Sequence, residues 1–436
     1  MRSVGSPVEH LHVRRHNLSL VLRLLATHGQ RSRADVAKIT GLTRATVSSL
    51  VADLIDRGLV RELGPGIDQH IGRPATMLEL DGGHVVTVGA EVNVGNTSIL
   101  VNDLAGNTVY SRRRPLDSST TQVDAVVPRI VSEIRKGIAV AEASGRQVVG
   151  ITVAVPGVTD LTGSIVTLAP NLGWRRVPLL DLLTAELGHD IPIQIDNEAN
   201  LGAMAEVRIG SLSGSTNLVY VLAADGVGAG VIVNGGLIRG ASGAAGEVGH
   251  MTVQPRGALC ACGSRGCWET TVGLRSLLRA AVPDLADELI ADVRLSPEAK
   301  IASVTARANA NDKSALRALS TYGHWLGIGL ANIVGTFNPQ GIILAGFLPD
   351  VAPWIMTGAM EAFWHNALSD SAHACKIELS RLGFSAAGIG GVILATDRIF
   401  ANPLLVNSQP EGRAFSPLRH AVNPAMYPAV SLGELG

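Results

Sequence analysis

Cysteine is scarce in this 436-residue chain: there are four, three of them crowded between Cys260 and Cys267. With no extracellular cysteine spacing and no signal-peptide pattern, a disulfide framework is not expected. Long hydrophobic runs are lacking too. No stretch of eighteen or more apolar residues occurs, and the best candidate, Ala386 to Ala395, is glycine-rich and too short, so no membrane span is expected. Net charge is nearly absent at −1, which excludes little by itself. Lysine is rare, 5 against 31 arginines, a bias that genomic composition produces and that carries no functional reading.

The charge that is present is unevenly placed. Residues 1–80 hold eleven Lys/Arg against seven Asp/Glu, and the remainder holds 25 against 30. A small basic head on an acidic body suits a nucleic-acid contact at one end. The length suggests two or three domains, and 46% hydrophobic content is ample for full cores.

The densest chemistry lies in Glu247-Val-Gly-His250 followed by Cys260-Ala-Cys262-Gly-Ser-Arg-Gly-Cys267-Trp-Glu269. Three thiols and one imidazole within eighteen residues are the ligand set of a closed zinc site, and Gly263 and Gly266 supply tight turns that let the sulfurs converge. His250, Cys260, Cys262 and Cys267 are therefore the candidate metal ligands. A Cys3His site leaves no position for a catalytic water, so the expected role of one Zn2+ per chain is to shape a loop. Thiolate ligation needs a reducing compartment, which points to the cytoplasm. Cys375 stands apart and reads as an ordinary buried thiol.

In the head, Leu18, Val21, Leu22 and Leu25 recur at helical spacing up to His28-Gly29. Ser32-Arg-Ala-Asp35 has the form of a capping box opening a second helix with Val36, Ala37 and Ile39 inward. Gly41-Leu42 makes a short turn, and Thr43 can cap a third helix with the apolar stripe Val47, Leu50, Val51, Leu54 and Ile55. Leu59–Leu63 and Met77–Leu80 read as the two strands of a wing. This is a winged helix-turn-helix, whose third helix enters the major groove. The candidate DNA-contacting residues are Ser32, Thr43, Arg44, Thr46, Ser48 and Ser49, with Arg73 on the wing reaching phosphate or minor groove. The competing reading is a helical bundle that docks another protein.

After Asp81-Gly82-Gly83 the pattern turns to short apolar strands, Val85–Val92, Thr97–Asp103 and Thr108–Arg113, then a helix over about 122–143 and strands at Val148–Val155 and Ile191–Asp196. A second round begins near Thr216 with strands Leu218–Leu222 and Val231–Val233, helical stretches over 274–291 and 314–336, and a strand from Gly341. Two such halves about 130 residues apart predict duplicated α/β subdomains facing across a cleft. The expected division is 14–80 for the head, 84–210 and 211–400 for the subdomains, and 401–436 for a tail rich in proline and small residues.

These residues resemble the ROK family, named for its repressors, open reading frames and kinases. The resemblance covers 14 to about 400. It rests on the Glu247-to-Glu269 signature, on Asn171-Leu-Gly-Trp174 and on Asp196-Asn-Glu-Ala-Asn200, in that family's order. It implies an actin-like ATPase, sugar-kinase-like fold for the body, a homodimer or homotetramer, and a sugar pocket lined by Asn171, Asn197, Glu198, Glu247, His250 and Glu269. Carboxylates and amides suit vicinal hydroxyls, and a ring whose one nitrogen holds zinc has its other nitrogen fixed toward the sugar.

Three departures from the family's kinases are visible. Glu91-Val92-Asn93-Val94-Gly95 stands where kinases have Asp-x-Gly-Gly-Thr, so side chains crowd the phosphate approach. Asp225 stands where kinases carry Thr in a glycine-rich loop, here Gly226-Val-Gly-Ala-Gly230. Glu198 replaces the Asp that acts as base. The expectation is a sugar-responsive DNA-binding regulator, a repressor of carbohydrate genes acting on double-stranded operator DNA, with no catalytic residue retained. The alternatives are a sugar kinase using Glu198 as base and a regulator whose body docks a protein.

Overall fold

The computed structural model describes residues 7–65, 76–116, 121–292 and 294–408. The head is three helices, Pro7–His28, Arg33–Thr40 and Arg44–Asp56, on a small sheet in which Thr76–Leu80 lies between Arg31–Ser32 and Val60–Pro65. The capping box forms as its sequence predicts: Asp35 N–H donates to Ser32 Oγ, and Ser32 N–H donates back to Asp35 Oδ2, both at 3.2 Å. Gly41 takes a left-handed φ of 71°, and Thr43 Oγ1 accepts from Thr46 N–H. Of the expected second-helix core only Val36 is fully buried; Ile39 stays 36% exposed. Arg73 and the rest of 66–75 lie outside the described residues.

The body contains two five-stranded sheets with one topology. In the first, Val85–Val92 is central, paired parallel to Gln147–Val155, which pairs parallel to Ile193–Asn197; on its other side run Asn96–Asp103 and Thr108–Pro115, antiparallel. In the second, Leu218–Ala223 is central, flanked by Gly341–Gly346 and then Lys376–Leu379 in parallel, and by Val227–Val233 and Gly236–Leu237 antiparallel. The duplication read from pattern is thus present in the strand order. The helical stretch expected over 274–291 is broken into Leu274–Ala281 and Ala286–Ala291, because Pro283 has no N–H to continue the ladder.

The helix Ala386–Ala401 departs from the expected division at 210/211. It packs on Val85–Val92, on Gln147–Val155 and on the helix Glu198–Ile209, so it belongs in space to the first lobe. Among the described residues, Gly383–Ala401 is long and apolar enough to cross a membrane by length and composition. Its apolar surface is taken up internally: Ala386, Ala387, Val392, Ile393, Ile399 and Phe400 are all buried. Gly390 is needed for that packing, since a Cβ there would lie 1.9 Å from the Leu201 carbonyl oxygen. Head and body share one apolar cluster, in which Leu18, Val21, Leu22 and Leu54 join Val85, Val392, Ile399, Phe400 and Val406.

Candidate ligand cleft and metal centre

The six expected sugar-contacting residues come from four separate segments and line one cavity: Asn171, Asn197, Glu198, Glu247, His250 and Glu269. Asn171 sits in the short 3-10 turn Pro170–Leu172, and Glu269 starts the helix Glu269–Val272. They meet across Gly226, where a Cβ would lie 3.1 Å from Asn171 Nδ2 and 3.5 Å from Glu269 Oε2. Asn197 is partly committed to structure. Its Oδ1 caps the helix Glu198–Ile209 by accepting from Ala199 and Asn200 N–H at 2.8 and 3.1 Å, and its Nδ2 donates to the Gly157 carbonyl at 2.8 Å.

Glu198 favours its protonated form. Burial, then the neighbouring Glu91 and Asp225 carboxylates, push its carboxyl up to about 8. Burial likewise raises Glu91, Asp225 and Glu247. Asn93, in the turn between Val85–Val92 and Asn96–Asp103, donates from Nδ2 to Glu198 Oε2 at 3.0 Å and to Glu91 Oε1 at 3.3 Å. A side chain therefore occupies ground that the kinase pattern leaves to glycine. Arg113 Nη1 reaches Glu298 Oε1 at 2.6 Å, tying the first lobe to the second.

The ligand atoms of His250, Cys260, Cys262 and Cys267 all lie within 4.8 Å of one another. A tetrahedron with Zn–S of about 2.3 Å and Zn–N of about 2.0–2.1 Å has S···S edges of about 3.8 Å and S···N edges of about 3.6 Å. Cys262 Sγ and Cys267 Sγ are 3.7 Å apart, and Cys260 Sγ lies 3.6 Å from His250 Nδ1, so the donor set fits a metal of that size. With Nδ1 turned to the sulfurs, His250 Nε2 points toward Glu247 Oε2, 3.7 Å away. The loop is anchored by Trp268, fully buried, whose Nε1 donates to the Trp325 carbonyl at 2.9 Å. Backbone N–H donation from Ser264 lowers the Cys262 thiol to about 7, whereas burial raises Cys260 and Cys267. Cys375 is partly exposed and not the buried thiol expected, though burial still raises it to about 11.

One pair, with a buried carboxylate and a half-buried guanidinium, went unread in the sequence. Arg239 donates from Nη1 to Asp196 Oδ1 at 2.9 Å and from Nη2 to Oδ2 at 2.5 Å, joining the second lobe to the residue before Asn197. Asp196 is 0% exposed. Its place in Asp196-Asn-Glu-Ala-Asn200 was the available signal; an arginine in a glycine-rich loop gave none.

In the head, Thr43, Arg44, Ser48 and Ser49 are exposed on the outer side of Arg44–Asp56, and Thr46 is half-buried with its hydroxyl 2.9 Å from that of Thr43. Ser32 is only 6% exposed, and its hydroxyl donates to Asp35 Oδ2 at 2.6 Å.

Comparison with known proteins follows the same division. The ROK family profile matches residues 87–398, and a MarR family profile matches 19–66. The xylose repressor of Bacillus subtilis (strain 168) is 32% identical over 378 residues, 87% of this chain and 94% of that protein. The crystal structure of a ROK family transcriptional regulator, a homologue of the Escherichia coli Mlc protein, superposes with a TM-score of 0.74 at 23% identity, covering 90% of this chain and 98% of that one. A ROK family glucokinase from Streptomyces griseus, solved with glucose and AMPPNP, gives 0.60 at 27% identity over 72% of this chain and 99% of its own. Two sheets of one topology, a cleft between them and a winged head are accounted for together: the chain belongs to the ROK family, with an N-terminal winged helix-turn-helix of MarR type.

Proposed function

We propose that this protein is a sugar-responsive transcriptional repressor of carbohydrate genes, binding operator DNA through its head and a sugar in the cleft, in the cytoplasm and as a homodimer or homotetramer. The observation that carries the reading is the convergence of six polar residues on one cavity whose floor begins a helix leading to the head. Protonated Glu198 offers a donor as well as an acceptor to a hydroxyl; Asn171, Glu247 and Glu269 supply the remaining polar partners. His250, Cys260, Cys262 and Cys267 would hold Zn2+, which supplies a fixed brace that orients the His250 ring and leaves no reactive position.

The route to DNA is mechanical. The helix Glu198–Ile209 packs on Ala386–Ala401 at Leu201 and Gly390, and Arg208 Nη2 reaches Asp397 Oδ2 at 2.6 Å. The far end of Ala386–Ala401 packs among Leu18, Val21 and Leu22 of the first helix, while Arg57, just after Arg44–Asp56, donates to the Val406 carbonyl and pairs with Asp53. Sugar binding that shifts one lobe therefore shifts the seat of the third helix, and in a symmetric dimer it changes the spacing of two such helices. Linkage requires the sugar to bind the two DNA-competence states unequally.

Phosphoryl transfer is absent in this reading. The carboxyl that would serve as base is already engaged, since Glu198 Oε2 accepts from Asn93 Nδ2 at 3.0 Å. The Asp225 carboxylate beside a polyphosphate is repulsive. The test is fluorescence anisotropy on a selected operator duplex with and without xylose, glucose, N-acetylglucosamine and their phosphates. A change in operator affinity with at least one of them is expected; identical titrations throughout would remove the sugar response from this function.

A further inference from the structure

The cavity lined by the six expected sugar-contacting residues measures only about 80 Å3. It shares Asn171, Ala261 and Glu269 with a neighbouring chamber of about 580 Å3, so the two adjoin along that wall. The chamber alone falls within the range of about 300–1,000 Å3 typical of whole small-molecule sites. One ring in the inner cavity leaves it empty.

The lining of the chamber is chemically specific. Arg275 and Arg279 stand one turn apart on the helix Leu274–Ala281, exposed, with neither in an ion pair among the described residues. Ser276 lies between them, and Asp225 faces them from the glycine-rich loop. Burial raises Asp225, and the positive charges of Lys300 and Arg275 act against that rise. Leu259, 64% exposed, and Ala280 add apolar surface. Two guanidiniums balanced by the Asp225 and Glu269 carboxylates make a lining with no net charge, donors and acceptors in both signs, and an apolar face. That is the recognition chemistry of a neutral polyhydroxylated ring: hydroxyls pair with guanidinium N–H and carboxylate oxygen, and the C–H face rests on Leu259. An isolated phosphate would meet two arginines but also two carboxylates, and these cancel the attraction.

We infer that the effector is a disaccharide or larger glycoside, with one ring between Asn171 and His250 and the next in the chamber between Arg275, Arg279, Asp225 and Leu259. The inference rests on the carbohydrate reading of the inner cavity and goes beyond it by fixing ligand size and assigning Arg275 and Arg279 as specificity residues.

The experiment is calorimetry on the full-length metal-loaded protein. The probes are xylose, glucose and N-acetylglucosamine, their methyl glycosides, the disaccharides xylobiose, cellobiose, maltose and chitobiose, and the 6-phosphates of glucose and N-acetylglucosamine. At least one disaccharide is expected to bind tenfold or more tightly than its own monosaccharide. In R275A and R279A, both surface changes that leave the packed side of the helix untouched, that increment should fall to threefold or less while monosaccharide affinity stays within twofold. Equal affinity for monosaccharides and disaccharides overturns the second-ring site and leaves the inner cavity intact. So does an increment that survives both arginine changes, or one seen only with the phosphates. Binding of no saccharide overturns the carbohydrate reading and this inference with it.

Discussion

The two sides of the cleft are built from the same kind of material and are put to opposite use. On the side proposed for sugar, Asn171, Glu247, His250 and Glu269 line one cavity, with Glu269 Oε1 accepting from Cys260 Sγ at 2.8 Å and the His250 ring 3.7 Å from both Glu247 and Glu269. On the side that the kinase pattern gives to nucleotide, polar side chains turn on each other: Asn93 bonds Glu198 and Glu91, Ser98 Oγ donates to Glu91 at 3.1 Å, and Arg113 pairs with Glu298 across the lobes. Polar residues that point into a cavity are poised for a ligand, and polar residues that satisfy one another occupy a ligand's place. In the proposed function, the contrast corresponds to a shared fold that keeps half of a two-substrate site.

That contrast can be broken at several points. The largest effect is expected from the metal cluster: C262S, or removal of metal by a chelator, should lower metal content to background, cut sugar affinity by a hundredfold or more and lower the melting temperature. Metal analysis with calorimetry checks this, and unchanged sugar affinity in metal-free protein would separate the brace from the pocket. Next is D196N, which leaves Arg239 without its carboxylate. Because Arg239 is about a third exposed, a loss on the order of 3 kcal/mol is expected in urea unfolding.

A smaller effect, and a sharper one for the comparison, concerns the crowded side. The double change N93G and D225T clears one side chain and one charge from the phosphate approach, so weak Mg-ATP binding should appear where the parent has none. If ATP binds neither protein, crowding at these two positions is not what separates the halves.

The smallest effect is on pH. Burial raises the carboxyls of Glu198, Glu91, Asp225 and Glu206 in the folded state, Glu198 from 4.5 to about 8, so above their ordinary values the native protein holds protons that the unfolded chain has released. Stability contributed by these groups is therefore present at low pH and declines as pH rises through about 8. E198Q should flatten that decline; a melting-temperature profile from pH 5 to 9 that E198Q leaves unaltered would remove Glu198 from it.

Much of this was legible in the chain. Periodicity placed the three helices of the head, and the capping residues Ser32 and Thr43 marked two starts correctly because a cap is a local interaction. At Ser32 the cap also commits the hydroxyl, which donates to Asp35 Oδ2. The His/Cys3 cluster was readable because its four residues sit within eighteen of one another in the chain. Long-range partnerships were not: nothing near Arg239 names Asp196, nothing near Arg113 names Glu298, and the return of Ala386–Ala401 to the first lobe depends on a glycine meeting Leu201 across the fold. The chamber beside Glu269 was equally hidden, because a cavity is set by where segments stop and not by what any one of them contains.

The central claim is that this cleft grips a carbohydrate without phosphorylating it. Calorimetry of sugar and of Mg-ATP into the same metal-loaded sample, followed by a coupled assay for ADP release, tests it most directly. The account predicts saturable heat with a sugar, none with Mg-ATP and no ADP. Sugar-dependent release of ADP would contradict it.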